Sequence, residues 1–348
     1  MVEVMDTENS LIIDGLQYVN WTPELLREAI RGGVNTIHVT IAYWENTQEA
    51  LVNIETWSQR FLEWGELIMP VRSAADILAA QQAGKIGIIL GFQNSSPIED
   101  DLCKVEMMHE RGVRIMQLSY NNQSLQATGC YEKSDSGITR YGRAVIKEMN
   151  RVGMVIDMSH SAEESTMQAI EISQRPIAIT HANPSSFHEA LRNKSGRVLR
   201  ALSESGGMLG ASLYPFHLHN GSDCSLEDFC NMIYETANFM GIDQIGIGSD
   251  LCLNWDYRTL EWMRSGKWAM TPDFGEGSAS DRDWPKQPDW FSSNLDFRNV
   301  IVGLLQAGFN QTEVDKIMGE NWLNFFEHAF RPQSDLDIAS PVMSESCG

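Results

Sequence analysis

The chain has 348 residues, of which 21% are charged and 43% hydrophobic, and its formal net charge is −21 at pH 7. This acidic balance argues against a nucleic-acid partner and against an anionic membrane surface, because both need clustered Lys and Arg. No apolar stretch reaches the roughly 18 residues of a membrane span, and no signal peptide is recognisable. The six cysteines form no CxxC pair, so we expect reduced thiols and a cytoplasmic protein.

Eight short apolar runs recur along the chain, each followed by a stretch long enough for a helix. They are Leu11–Ile13, Val34–Thr40, Lys85–Gln93, Arg114–Tyr120, Met154–His160, Pro176–His181, Met208–Tyr214 and Ile245–Asp250. Near-continuous hydrophobicity of this kind is typical of strands in a buried parallel sheet. The order predicts an α/β protein, a single (β/α)₈ TIM barrel over residues 1–330.

Helix starts between these runs carry recognisable signals. Thr22 precedes a Pro-Glu pair and Ser225 precedes Leu-Glu-Asp, and both sequences are typical of helix N-termini. Ser161 and Glu164 have the spacing of a capping box. We therefore expect helices to begin directly after each of these three hydroxyl residues.

Two segments depart from the alternation of strand and helix. Residues 254–294 form a long insertion after strand 8 that contains five tryptophans, and we expect it to be irregular and to cover the barrel mouth as a lid. An aromatic box for a cationic substrate is the alternative for these tryptophans. Residues 331–348 have little apolar content and are expected to form a flexible tail.

Polar side chains stand at the ends of three of the predicted strands. His160 ends one run, His181 ends the next, and Asp250 ends the last. Catalytic residues of a barrel of this type lie at the carboxyl ends of its strands, so these three side chains should meet. A single buried histidine usually satisfies a hydrogen bond, but two imidazoles and a carboxylate together favour a metal-dependent hydrolase.

Several stretches, in order along the chain, resemble the renal (membrane) dipeptidase family of amidohydrolase-type barrels. They are Val155-Ile-Asp-Met-Ser-His160, Thr180-His181-Ala182, Arg192-Asn193, Leu213-Tyr-Pro215, Gly246-Ile-Gly-Ser-Asp250 and Gly319-Glu-Asn-Trp322. The resemblance implies two zinc-type ions bridged by a glutamate, a homodimer, and hydrolysis of dipeptides or similar small amides.

The resemblance also implies roles for individual residues. His160 and His181 match the imidazole ligands of one metal ion, and Asp250 matches the carboxylate that handles the proton. Arg192 matches a contact to the substrate carboxylate, for which a bidentate guanidinium is well suited. Tyr214 falls on a further substrate-binding position.

The chain departs from the family pattern on the side of the second metal ion. Leu16 and Tyr18 stand where family members have His and Asp, Gln93 replaces the bridging glutamate, and Tyr120 replaces a histidine. Neutral side chains cannot balance two adjacent dications. We therefore expect one zinc-type ion rather than two, and the sequence leaves open that none binds. Gln93 and Tyr120 become candidate catalytic residues, and Tyr18 a candidate substrate-binding residue.

These observations predict a dipeptidase-like hydrolase that acts on a small amide-type compound bearing a carboxylate. The expected partners are that small molecule and a second copy of the chain. A metal-free lyase or decarboxylase, or a non-catalytic protein that binds a small ligand, are the alternatives. Cys130 and Glu132 follow strand 4 as weaker candidates for a nucleophile and a replacement carboxylate. His217 and His219 are expected on the surface.

Overall fold

The computed structural model describes residues 10–266 and 283–333. Ten parallel strands form one sheet, which closes on itself because the last strands pair with the first. The strands are β1 (Ile13–Val19), β2 (Thr36–Ala42), β3 (Ile68–Pro70), β4 (Ile86–Phe92), β5 (Val113–Gln117), β6 (Val155–Asp157), β7 (Ala178–Ile179), β8 (Met208–Ala211), β9 (Ile245–Ile247) and β10 (Leu251–Leu253).

Helices alternate with the strands and cover the outside of the sheet. They are α1 (Pro23–Arg31), α2 (Thr47–Glu63), α3 (Ala74–Gln82), α4 (Cys103–Glu110), α5 (Arg140–Val152), α6 (Glu163–Ile172), α7 (Gly196–Glu204), α8 (Leu226–Met240), α9 (Tyr257–Ser265), α10 (Phe297–Gln306), α11 (Gln311–Asp315) and α12 (Asn321–Ala329). Because β9 and β10 together make the eighth strand and β3 only flanks β4, the fold is a (β/α)₈ barrel. The predicted fold class is confirmed.

Each predicted apolar run overlaps one barrel strand, but the bounds of the first were wrong. Strand β1 begins at Ile13 and continues to Val19, through two buried polar residues that hydropathy does not favour in a strand. Asp14 and Gln17 satisfy each other there, since Gln17 Nε2 donates to Asp14 Oδ2 at 2.8 Å. The short strand β3 was not predicted.

Two of the three predicted helix starts are confirmed. The side chains of Thr22 and Ser225 accept hydrogen bonds from backbone N–H groups in the first turns of α1 and α8. The capping box of Ser161 and Glu164 was wrong, because α6 begins at Glu163 and the Glu164 N–H is bonded to the carboxylate of Asp135 instead. A carboxylate from a distant loop takes the place of the local cap.

The amino-terminal end of the barrel is closed by Trp322 of α12. Its fully buried indole packs against residues at the starts of several strands and donates from Nε1 to the Ile247 carbonyl oxygen at 2.9 Å. Gly15 and Gly246 make room for the ring, because a Cβ atom on either would approach it to 2.7 Å or less. This end is filled, and the opposite end is left for a pocket.

The Trp-rich segment 254–294 lies partly outside the described residues, and so does most of the tail 331–348. The described part of the Trp-rich segment contains helix α9, where an irregular structure was expected. No described helix combines the length and the hydropathy needed to cross a membrane. Cysteines 130, 224, 230 and 252 form no disulfide bond, but Cys103 does, so the expectation of six reduced thiols was wrong there.

Candidate active site

A narrow pocket opens at the carboxyl ends of the barrel strands. Six of the eight candidate residues line it: Gln93, Tyr120, His160, Arg192, Tyr214 and Asp250. His181 lies directly behind His160 and is fully buried. Tyr18 does not line this pocket but borders an adjoining cavity. The structure thus brings seven of the eight predicted residues to one place and leaves Tyr18 beside it.

The two imidazoles at the base of the pocket face each other through their Nε2 atoms, which are 3.1 Å apart. Their other ring nitrogens are held by neighbours. His160 Nδ1 lies 2.6 Å from the Asn121 side-chain oxygen, and His181 Nδ1 lies 2.8 Å from the Thr180 hydroxyl. That hydroxyl donates to Asp157 Oδ2 at 2.6 Å. Both rings are therefore fixed in orientation by their Nδ1 atoms.

This hydrogen-bond pattern determines which ring nitrogen carries the proton. An amide oxygen only accepts, so His160 Nδ1 is the donor in its contact with Asn121. The Thr180 hydroxyl donates its one hydrogen to Asp157, so His181 Nδ1 donates to the Thr180 oxygen. Burial, reinforced by the positive charge of Arg192, lowers the pKa of both histidines well below the usual value. Both rings are neutral, and their Nε2 lone pairs point at each other.

Asp250 lies in the interruption between β9 and β10, with a left-handed backbone (φ 54°), and its side chain reaches the pocket. Burial raises the pKa of its carboxyl to about 7, although the nearby Arg192 lowers it and Asp14 raises it further. Asp14 is itself buried and accepts from the Ser249 N–H at 2.7 Å. Asp250 is thus placed to exchange a proton near neutral pH.

Two buried cations, Arg192 and Lys194, hold the loops that carry the histidines. Arg192 donates to the carbonyl oxygens of Ser159 and His181. Lys194 Nζ donates to the carbonyl oxygens of residues 158 and 161 at 3.0 and 2.9 Å, on either side of His160. Burial and the charge of Arg192 lower the pKa of Lys194 to about 7. Arg192 also lines the pocket, so its remaining N–H groups are available to an anionic ligand.

The opposite wall of the pocket is mainly aromatic, and Arg264 of α9 also lines the pocket close to these tyrosines. The ring of Tyr120 lies over His160 with their centroids 4.2 Å apart, and Tyr214 lines the wall beside it. Gln93 Nε2 donates to the Thr40 hydroxyl at 2.8 Å and to the Tyr43 hydroxyl at 2.9 Å. This wall offers hydroxyl and amide groups where the family resemblance implied charged metal ligands.

Tyr18 belongs to an aromatic cluster next to the pocket. Its ring is stacked on Trp255 with centroids 4.8 Å apart and meets Tyr43 edge-on at 4.9 Å. Trp262 and Trp284 join the same cluster. Three of the five tryptophans of the insertion therefore pack at the barrel mouth, and the substrate-binding role of Tyr18 remains a prediction.

Sequence reasoning missed several residues of the site, among them Asn121, Lys194 and His217. Asn121 and Lys194 hold the histidine region, and no strand-end pattern pointed to them because both lie in irregular loops. His217 was expected on the surface, which was wrong: it is buried, lines the pocket, and its Nδ1 lies 2.7 Å from the Ser212 hydroxyl. Its position two residues after a proline in a tight turn folds it back into the barrel mouth.

The two weaker candidates lie away from the pocket wall. Cys130 is buried, and its Sγ atom lies 3.9 Å from the Asn121 side-chain oxygen. Glu132 accepts a hydrogen bond from the Gln123 N–H at 2.8 Å, at an exposed position. Neither is among the residues that line the pocket, so the geometry favours a stabilising role for both in the loop after β5.

Comparison with known proteins matches residues 9–255 to the family model of membrane dipeptidase, peptidase family M19. The chain belongs to this family. An amidohydrolase from Pseudomonas aeruginosa is 33% identical in sequence and superimposes with a TM-score of 0.88, over 93% of this chain and 98% of that one.

More distant relatives carry the same family name or fold. The dipeptidase tcpJ of Claviceps purpurea is 24% identical over 76% of this chain and 56% of its own length, and the chain spans about half the length of the curated relatives it matches. A metallo peptidase from Rhodobacter sphaeroides, liganded with a phosphinate mimic of L-Ala-D-Ala, shares the fold at 17% identity. Its TM-score is 0.74, over 92% of this chain and all of that one.

The family implies metal ions, and the residues of this chain fit one ion better than two. Two neutral imidazoles with facing lone pairs repel each other unless a cation lies between them, and their low pKa values disfavour a proton there. At the positions of Leu16, Tyr18 and Gln93 themselves, the side chains are neutral and offer no charged ligand. Nowhere in 10–266 and 283–333 do three His, Cys, Asp or Glu side chains group closely enough to hold an ion by themselves.

Proposed function

We propose that this protein hydrolyses a small amide-type compound that carries a carboxylate, with a single divalent ion held by His160 and His181. The observation that carries the proposal is the pair of neutral imidazoles with converging Nε2 atoms, at the base of a pocket that also contains Asp250 and Arg192. Membership of a dipeptidase family supports hydrolysis as the reaction. The Arg192 guanidinium, which lines the pocket and has N–H groups beyond those bonded to Ser159 and His181, supports an anionic group on the substrate.

Each of the pocket residues has a separate role in such a reaction. A divalent ion, when bound, supplies Lewis-acid chemistry that makes water a nucleophile near neutral pH. Arg192 holds the substrate carboxylate, and Tyr120 and Gln93 orient the amide. Asp250 accepts the proton of the attacking water and returns it to the leaving nitrogen, which requires a pKa near the working pH. His160 and His181 remain neutral throughout.

The proposal is tested by the metal content of the protein purified without added metal or chelator, together with hydrolysis of a panel of dipeptides, N-acyl amino acids and lactones. We expect about one equivalent of zinc or a similar ion per chain, and turnover of at least one carboxylate-bearing amide. Two equivalents would contradict the single-ion site. No metal, and no uptake of added zinc, would favour a metal-free lyase or a ligand-binding protein instead.

Replacement of Asp250 by Asn should change the pH dependence of hydrolysis as well as its rate. In the parent protein, kcat/KM should rise as the pH increases through about 7, because only the ionised carboxylate accepts a proton. Asp250→Asn should lower kcat by about 100-fold or more and remove this limb of the profile. A variant that is slow but keeps the same limb would assign the proton transfer to another group.

The assembly and location that we propose follow from the family resemblance and the composition. We propose a homodimer in the cytoplasm, with a small-molecule substrate and neither nucleic acid nor membrane as a partner. Light scattering of the purified protein distinguishes a mass near 78 kDa, twice the chain mass of 39.2 kDa, from that of a monomer or a larger assembly.

A further inference from the structure

Tyr43 is a pocket residue that the strand-end pattern did not indicate. It follows β2 directly, is almost completely buried, and lines the same pocket as His160 and Asp250. Its ring meets Tyr18 and Tyr120 edge-on, each with centroids 4.9 Å apart, and Trp262 at 6.0 Å. These three aromatic neighbours hold the ring in place, so the position of its phenol oxygen is fixed.

The Tyr43 hydroxyl accepts one hydrogen bond, and its own hydrogen is left available to a ligand. Gln93 Nε2 donates one hydrogen to Thr40 Oγ1 and the other to Tyr43 Oη, so the phenol oxygen is the acceptor in that contact. Within residues 10–266 and 283–333, no group accepts the phenol proton in return. Burial, with the neighbouring tyrosines, raises the pKa of Tyr43 well above its usual value, so the proton stays in place.

We infer that the Tyr43 hydroxyl, oriented by Gln93 and Thr40, is a specificity-determining donor that binds the negatively charged oxygen of a tetrahedral group at the reacting centre. A donor fixed before the ligand arrives stabilises developing charge without reorganisation, as in an oxyanion hole. The positive charge of Arg192, which lines the same pocket, also favours an anion here.

This inference rests on the proposed function, because amide hydrolysis forms a tetrahedral centre. Attack by water adds a C–O bond and moves the carbonyl electron pair onto oxygen; when the pair returns, the C–N bond breaks and the nitrogen takes the proton. The oxygen bears the negative charge between these steps, and that is the atom assigned to Tyr43. The substrate class is thus an amide whose carbonyl oxygen can reach the wall of Tyr43 and Gln93.

The test compares two matched ligands on the purified protein by titration calorimetry. One is a phosphinate isostere of a dipeptide, whose reacting centre is tetrahedral and anionic; the other has a methylene group in place of the phosphinate and keeps the same carboxylate. We expect Tyr43→Phe to weaken phosphinate binding by about 10-fold to 100-fold, since a hydrogen bond to a charged group is lost. Binding of the methylene isostere should change by less than about twofold.

Controls separate this donor role from a general loss of structure. Tyr234→Phe makes the same chemical change at an exposed position on α8 and should leave both affinities unchanged. Gln93→Leu removes the amide that orients the phenol and should weaken phosphinate binding in the same selective way. Thermal unfolding of each variant shows that it is folded.

Three results would overturn the inference: equal losses for both ligands in Tyr43→Phe, no loss for either, or no preference of the parent protein for the phosphinate. These outcomes are distinct from failure of the proposed function. If no amide is hydrolysed but phosphinate binding depends on Tyr43, the hydrolase proposal fails alone. If amides are hydrolysed and Tyr43→Phe binds the phosphinate as before, the inference fails alone.

Discussion

His160→Ala should abolish hydrolysis and remove the bound ion together, with a fall in kcat of about 1000-fold or more. The imidazole lies at the pocket wall, and its Nε2 atom faces that of His181 at 3.1 Å. Without it, the facing pair of imidazoles is lost, and His181 alone does not hold a divalent ion tightly. Elemental mass spectrometry should find about one equivalent of metal in the parent protein and close to none in the variant.

The matched control for this variant is His219→Ala, because His219 is exposed and lies on the loop after β8. It should keep both the metal and the activity. Retention of metal in His160→Ala would show that the ion is held elsewhere. If the parent protein is active but never contains metal, His160 would instead act as a general base. His181 and Asp157 would then support it through their chain of hydrogen bonds.

The barrel could be predicted from the sequence because each parallel strand is buried on both faces and therefore appears as an apolar run. The same reasoning failed at β1, where Asp14 and Gln17 interrupt the run. Those two side chains bond to each other and to Ser249 and Asn294, partners more than 200 residues away in sequence. Hydropathy records the polarity of a residue, but it does not show whether a residue distant in sequence satisfies its hydrogen-bonding groups.

The candidate site was likewise predicted only in part from the sequence. His160, His181 and Asp250 were expected to meet because the topology of a barrel brings the carboxyl ends of all strands together. Asn121 and Tyr43 were not predicted, since their contribution depends on where one hydrogen bond points within a loop. Strand position predicts which backbone segments meet, whereas the direction of a side chain depends on its packing.

Gly248 lies just after β9, where the barrel wall passes close to Thr180, the residue before His181. A Cβ atom at Gly248 would lie 1.7 Å from the carbonyl oxygen of Thr180, and backbone atoms cannot yield as a flexible side chain can. Gly248→Ala should therefore lower the free energy of unfolding by about 3 kcal/mol or more. Thermal or urea unfolding measures this loss.

Gly248→Ala should also disturb the metal site, because Thr180 precedes His181 and the Thr180 hydroxyl orients the His181 ring. A shift of this backbone moves Nε2 of His181 away from His160, so the folded fraction of Gly248→Ala should also bind metal more weakly. Gly196→Ala, in the first turn of α7, is the matched control: among residues 10–266 and 283–333, its added Cβ would meet Phe239 alone, at 3.9 Å. There the same methyl group should be neutral or slightly stabilising, since Ala favours a helix over Gly. Equal stability of the two variants would mean that the barrel wall adjusts at Thr180 without strain.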